Sequence, residues 1–246
     1  MKDLFSGHSR QYSQYRPGYP AELIQFILQL CKSHDSAWDC ATGIGQVAGA
    51  LAAHVKTVAA TDISINQLSQ GIQMSNVIYT RQPAERTNFP NEYFDLVTVG
   101  QAVHWFDLER FYPEVKRVLK KDAVIALFGY GLFKSNKETN EIIKHFYDIV
   151  IGPYWQPERR LLDAAYRSIP FPFKEIKAPE FHFEQRWSLE RLIGYLNTWS
   201  AVKAYEAEKG ENPVEKISKE LRRSFGEVGK VNFPILLRVG RNGEIT

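Results

Sequence analysis

Over its first two-thirds the chain alternates short apolar runs with stretches whose apolar residues recur at helical spacing. Residues 21–32 place Leu23, Ile24, Ile27, Leu28 and Cys31 on one helical face. Residues 37–40 read as a short strand, and 46–54 as a second helix. The run Thr57, Val58, Ala59, Ala60, Thr61 reads as a strand that ends at Asp62. Ser64 is placed to cap a helix running to about Met74. A strand is expected at 77–80, and the clearest one at 93–99, apolar enough to be buried on both faces. Helical spacing returns over 108–119 and a strand pattern over 123–128.

Five strands alternating with helices predict an α/β fold whose mostly parallel sheet is covered on both sides. Ligands in such sheets bind beyond the carboxyl ends of the strands, where the strand order reverses. The loops after the first four strands are therefore where chemistry is expected. Past Gly131 the pattern changes: 134–172 is helical, then aromatic and proline-rich. Residues 181–187 alternate as a strand, 188–207 and 213–225 read as helices, and 231–239 as a last strand. There is no repeat and no low-complexity tract. The simplest organisation is one elaborated domain: residues 1–20 as an N-terminal lid, 21–131 as a ligand-binding α/β core, and 132–246 as remaining strands plus a helical cap.

Composition narrows the picture only slightly. With 246 residues, 44% hydrophobic and 24% charged, the chain is ordinary for a globular protein. Lysines and arginines number 31 against 28 acids, for a net charge of +3 and no dense basic stripe, which argues against nucleic acid as the partner. No apolar run approaches the roughly 20 residues that span a bilayer, and residues 1–20 lack the apolar centre of a signal peptide. Two cysteines, Cys31 and Cys40, are too few for a disulfide framework. These features together predict a water-soluble, cytoplasmic protein, monomeric or homodimeric, without a membrane contact. The six histidines are scattered, with no metal-ligand spacing, so no metal is expected. Gly-x-Ser-x-Gly and Gly-Lys-Ser/Thr loops are absent as well.

The strongest local signal is Asp39-Cys40-Ala41-Thr42-Gly43-Ile44-Gly45-Gln46-Val47-Ala48. Its glycines let the backbone turn tightly and approach a ligand, and the following helix offers its N-terminal amides. Gly43-x-Gly45-x-x-Ala48, with Asp62 19 residues after Gly43, also satisfies a dinucleotide fingerprint. Asp39 bears on the choice. At the strand end its carboxylate would repel a pyrophosphate and attract the ammonium of a methionine moiety, which points to S-adenosylmethionine. The bland role for Asp39 is to brace the loop. Asp62 suits either ligand, since a carboxylate beyond the second strand can accept both ribose hydroxyls.

Three segments then resemble class I S-adenosylmethionine-dependent methyltransferases, in particular the subgroup of trans-aconitate methyltransferase-like and plant embryo-abundant-protein-like members. The first is Phe5-Ser6-Gly7-His8-Ser9 with Tyr12, Tyr15-Arg16-Pro17 and Tyr19-Pro20; the second is Ala37-Trp38-Asp39 with the glycine loop and Ala60 to Ser64. The third is Phe94 to Val99 with Gln101-Ala102 and His104-Trp105-Phe106, and weaker similarity continues through 169–173 and 195–200. The chain departs from the family pattern at Ala41, where glycine is usual. Alanine keeps most of glycine's compactness there if its φ is negative.

The resemblance implies a Rossmann-like, doubly wound seven-stranded sheet, mostly parallel with the last strand antiparallel, plus the helical cap and N-terminal lid. S-adenosylmethionine is the implied cofactor. Ala41, Gly43 and Gly45 would line its methionine and ribose portion, Asp62 would hold the ribose, and Ile63 would pack on the adenine. Ala84 and Glu85 would meet the adenine edge, although Glu85 could equally pair with Arg86 on the surface. Gln101 would meet the methionine end, with Tyr15 and Arg16 closing over it; a bidentate pair from Arg16 to the methionine carboxylate is chemically apt.

The implied reaction is methyl transfer to a small molecule, foremost carboxyl O-methylation of an organic acid. A carboxylate is already ionised at neutral pH and needs no general base. His104 is the candidate catalytic residue, with substrate contact favoured over proton transfer. Trp105, Tyr195 and Trp199 are candidate walls of the acceptor pocket, and Arg186 a candidate carboxylate clamp; core packing is the competing role for the aromatics. Two other readings stand beside this one: an NAD(P)-dependent oxidoreductase, and a methyltransferase-like protein that binds the cofactor without turnover.

Overall fold

The computed structural model describes residues 15–243; the first 14 residues of the expected lid, Tyr12 among them, lie outside it, as do residues 244–246. A first helix, α1 (Ala21–Gln29), precedes strand β1 (Ser36–Cys40) and helix α2 (Gln46–Ala52). Strand β2 (Thr57–Asp62), the short helix α3 (Ile65–Leu68), strand β3 (Val77–Arg81) and strand β4 (Phe94–Gly100) follow. Helix α4 (Leu108–Val118) leads into the long strand β5 (Leu119–Tyr130). The last third holds α5 (Lys137–His145), α6 (Arg159–Asp163), β6 (Lys174–Ile176), β7 (Phe181–Ser188), α7 (Leu189–Asn197), α8 (Ser200–Lys209), α9 (Pro213–Phe225) and β8 (Val228–Arg241).

The strands form one sheet in the order β3-β2-β1-β4-β5-β8-β6, with β7 also paired to β8. The β1–β2, β2–β3, β1–β4 and β4–β5 pairs are parallel. Only β8 runs against its neighbours, pairing antiparallel with β5, β6 and β7. This is the Rossmann-like α/β arrangement with a reversed last strand that was expected. The order reverses between β1 and β4, which puts the glycine loop and the loop after β4 side by side at the carboxyl edge.

Burial explains why β1 and β4 read as continuous apolar runs. Ala37 and Leu96 point into one core, with Leu23, Ile27 and Leu51, while Trp38 and Val97 point into the other, with Phe94, Phe111 and Val115. Alternation is hidden because both faces are covered. The one polar atom of Trp38 is satisfied: Nε1 donates to Thr61 Oγ1 at 2.8 Å.

Three elements differ from the sequence reading. Ser64 does cap a helix, its Oγ accepting from Gln67 N at 3.3 Å, but α3 stops at Leu68 instead of near Met74. The chain turns off at Gly71, which lies flat against Tyr79; a Cβ there would sit 2.7 Å from the ring. The stretch 188–207 is two helices, not one. Thr198 Oγ1 donates back to Tyr195 O at 2.6 Å and Trp199 turns extended, burying its indole against Tyr147, Trp155 and Tyr195. Strand β6 makes an eighth strand; at three residues it is too short to show a period.

The C-terminal third contributes an aromatic core. Trp187, Phe133, Phe233, Tyr195 and Trp199 interlock, with centroids 5.3 Å apart for Trp187–Phe233 and 5.6 Å for Tyr195–Trp199. None of the described helices is long and apolar enough to cross a membrane.

Candidate functional site

The glycine loop leaves β1 through alternating left-handed residues: φ is +54° at Ala41, +57° at Gly43 and +82° at Gly45. Thr42 N bonds to Thr61 O at 2.9 Å, tying the loop to the end of β2. Gly45 then starts α2 as its N-cap. The condition attached to Ala41 is therefore not met, because its φ is positive, where an L-residue is strained. Ala41→Gly is expected to raise stability by roughly 1 kcal/mol. Chemical denaturation of the two proteins measures it, and no gain would contradict the left-handed turn.

Two acids flank this loop. Asp39 is buried and accepts from Thr98 Oγ1 at 2.9 Å, from Ala48 N at 3.1 Å, and from Thr42 Oγ1. Burial raises its pKa to about 6, with the hydrogen bonds opposing the rise. Asp39 thus ties loop, helix and β4 together, the bracing role, while also bordering the cleft. Asp62 sits at the end of β2 with Oδ2 accepting from Gly43 N at 3.0 Å and Oδ1 from Ser64 N at 2.8 Å. Its carboxylate faces the glycine loop from the end of the second strand.

The cleft at the switch point gathers eight of the sequence-predicted residues: Arg16, Asp39, Ala41, Gly43, Asp62, Ile63, Gln101 and Trp105. Gly45 stands behind it, packed on Tyr79; an added Cβ would overlap the hydroxyl and approach Cζ to 2.9 Å. Gln101 is held in a left-handed conformation (φ +53°), with Oε1 accepting from Tyr130 N at 2.7 Å. Arg16 reaches across the cleft, donating from Nη1 to Tyr130 Oη at 3.0 Å and from Nη2 to Thr198 O at 3.1 Å. Gln67, Tyr19 and Tyr130 also line the cleft and were missed. Gln67 had a signal, the third position after a capping serine; Tyr19 had one in the aromatic N-terminal motif; Tyr130, at the end of a strand, had none.

Other predicted residues lie elsewhere. Tyr15 packs its ring over Gly194, where an added Cβ would meet it at 2.5 Å, and does not line the cleft. Ala84 is buried beside Trp38 and Cys40, and Glu85 accepts from Asp107 N at 3.2 Å instead of pairing with Arg86. Neither borders the cleft. Tyr195 and Trp199 belong to the aromatic core, at 3% and 2% exposure, so packing claims them and not a pocket wall. Arg186 is a correction: β7 alternates, and the arginine falls on its exposed side with His182 and Glu184, in register with Lys230 and away from the cleft.

His104 lies in the turn Val103–Trp105 just behind the cleft wall, with Nδ1 3.3 Å from Tyr166 Oη and its ring 4.7 Å from that of Trp105. Burial first, then the charges of Arg159 and Arg16, push its pKa down to about 3. At neutral pH the imidazole is uncharged and a poor proton acceptor. Among the described residues no group of three or more histidine, cysteine or acidic side chains could hold a metal.

The chain is similar to known proteins over almost its full length. The family described as "Methyltransferase domain" matches residues 38–127, from β1 into β5. A Dictyostelium discoideum protein named as a methyltransferase is 31% identical, over 96% of this chain and 93% of its own. The solved structure of a type II methyltransferase from Anaeromyxobacter dehalogenans shares 35% identity, with a TM-score of 0.87 over 94% of this chain and 100% of that one. A Bacillus halodurans structure, 20% identical at a TM-score of 0.52, shares the fold. These relatives give no support to the oxidoreductase alternative.

Proposed function

The chain belongs to the class I S-adenosylmethionine-dependent methyltransferases, and from that premise we propose that its cleft binds S-adenosylmethionine and methylates the carboxylate of a small organic acid, as in the trans-aconitate methyltransferase-like subgroup. The observation that carries this reading is the pairing of Gly43 with Asp62. The glycine loop hands its amide to a carboxylate that closes the second strand, at the one place where the sheet order reverses.

The residues present fit the cofactor. A methyl group at Gly43 would meet only Gln67 Oε1, at 3.9 Å, so the space before the loop opens into the cleft. Among the described residues the lining combines acids, amides, an arginine and apolar side chains but no lysine, which suits a ribose, a purine and a zwitterionic amino acid. Two carboxylates beside the loop would repel a pyrophosphate. When bound, S-adenosylmethionine supplies a methyl group on a sulfonium that leaves as a neutral thioether.

The chain's own contribution is binding and alignment. Asp62, at the end of the second strand, presents a carboxylate that can accept from ribose hydroxyls as it accepts from the amides of Gly43 and Ser64. Ile63 offers an apolar face to the purine, and Arg16 a cation to the methionine carboxylate. Gln101, fixed by Tyr130, borders the methyl end. In-line alignment of this kind can supply roughly 7–11 kcal/mol of barrier lowering. His104 takes no proton: with its pKa near 3 it remains neutral, and an ionised acid acceptor needs no base.

Thermal unfolding tests the reading. S-adenosylhomocysteine at about 100 times its Kd is expected to add about 2.7 kcal/mol, or roughly 5–11 °C in Tm, while NAD produces no shift. Stabilisation by NAD alone overturns the proposal. Methyl transfer from labelled S-adenosylmethionine to a carboxylic-acid panel then tests the acceptor class; transfer confined to amines or alcohols overturns that part.

A further inference from the structure

Arg186 leaves the acceptor's acid without the cation first assigned to it, and a different arginine, Arg159, stands just outside the residues that line the cleft, on a helix packed against its wall. Arg159 opens α6, a helix packed against the Val103–Trp105 turn that carries His104 and Trp105. Its guanidinium rests against one aromatic pair, Tyr147 and Trp155, whose rings pack 4.8 Å apart, and is tied along its Nε edge. The ring of Trp155 lies 4.7 Å from Cζ and that of Tyr147 5.6 Å. Nε donates to Tyr147 Oη at 3.0 Å and lies 3.3 Å from Asp163 Oδ1, while Tyr147 Oη donates to the same Asp163 oxygen at 2.8 Å. The Nη1 and Nη2 edge has no acceptor within hydrogen-bond distance among the described residues. The neighbouring acid Glu158 forms no ion pair with it.

A planar guanidinium held by face and by one edge, with the opposite fork uncommitted, is preorganised for a bidentate carboxylate. The side chain is 16% exposed, and the Nη atoms are not among the buried atoms left without a partner, so the fork reaches solvent and is open to a ligand. Asp163, its one ion-pair partner, is half exposed and engages the Nε edge alone. After burial, the charges of Arg159 and Arg16 both hold the pKa of His104 down.

We infer that Arg159 is the specificity-determining residue for the methyl acceptor, gripping a carboxylate of that acceptor through Nη1 and Nη2 beside His104 and Trp105. The inference rests on the methyltransferase reading of the same site. It makes Arg159 the group that separates acids from neutral analogues of equal shape. Trp155 and Tyr147 are positioning residues that act through it.

Calorimetry on the full chain saturated with S-adenosylhomocysteine tests this, with benzoate, succinate, glutarate and citrate as probes and the matching amides as controls. Wild type is expected to bind at least one acid and none of the amides. Arg159→Gln should weaken that acid about 10-fold or more and leave the Kd for S-adenosylhomocysteine within twofold, which also reports that the variant is folded. Arg159→Lys, a point charge without a fork, should recover part of the affinity. In turnover the loss should fall on KM for the acid, with kcat little changed. Equal acid binding by wild type and Arg159→Gln, equal binding of amides, or no response to any acid overturns the assignment. Acid binding that depends on Arg159 in a protein that ignores S-adenosylhomocysteine would overturn the methyltransferase reading and leave the clamp standing.

Discussion

Replacing Asp62 by alanine is expected to raise the Kd for S-adenosylhomocysteine about 100-fold and to abolish measurable methyl transfer at ordinary cofactor concentrations. Hydrogen bonds to a charged acceptor contribute about 1.5–3 kcal/mol each. Losing two ribose contacts therefore costs about 3 kcal/mol or more, and each 1.4 kcal/mol is tenfold in Kd. The carboxylate has a second duty, since Gly43 N and Ser64 N both donate to it. Its removal orphans two amides, one in the loop and one at the start of α3. Asp62→Asn separates the two effects: it keeps the shape but turns one acceptor into a donor facing an amide, and a loss between tenfold and 100-fold is expected. Titration calorimetry reads all three proteins. Cofactor binding by Asp62→Ala within threefold of wild type would remove Asp62 from the ribose site.

Gly45→Ala is expected to have the largest effect on stability, a loss of about 2–5 kcal/mol. Part is the left-handed backbone, at φ +82°, worth roughly 1–2 kcal/mol for an L-residue. The rest is overlap of the new Cβ with the Tyr79 ring, and overpacking of this kind costs about 1–3 kcal/mol. For a chain of this size the Tm should fall by roughly 4–20 °C. The two causes separate experimentally. Tyr79→Ala in the same chain relieves the overlap but not the φ strain, so the double variant should recover only part of the loss relative to Tyr79→Ala alone. Equal Tm values for wild type and Gly45→Ala would exclude both causes.

These two residues also show what the sequence makes legible. Spacing alone placed Gly43, Gly45 and Asp62 together, because a strand, a tight turn and a second parallel strand bring those positions to one edge in any doubly wound sheet. Gln101 and Trp105, just after the fourth strand, come from the family resemblance and not from spacing. Sequence reading failed for Tyr195, Trp199 and Arg186. Aromatic residues on α7 and before α8 look alike whether they wall a pocket or fill a core, and only packing decides, of Tyr195 against Trp187 and Phe233 and of Trp199 against Tyr147 and Trp155. Arg186 lost to a simple parity: one place along β7 separates Trp187, fully buried, from an exposed arginine. The sign of φ at Ala41 is likewise invisible in composition, since it depends on how the loop is anchored to Thr61. Arg159 left no mark in the sequence because its signal is three-dimensional: a guanidinium laid against a packed aromatic pair, more than 50 residues along the chain from the His104 turn.

The reversed strand has a consequence for how the chain is made. Strands β1 to β5 can pair with one another as they leave the ribosome, each next to a neighbour already synthesised. Strands β6 and β7 cannot, because β8 is the sheet partner of both. The aromatic residues of β7 and the two helices after it must wait for residues 228–241 before Phe233 arrives to close their core. A nascent chain halted before β8 would carry an assembled glycine-loop half and an unlatched C-terminal half, with the outer edge of β5 open to any strand that could take the missing place.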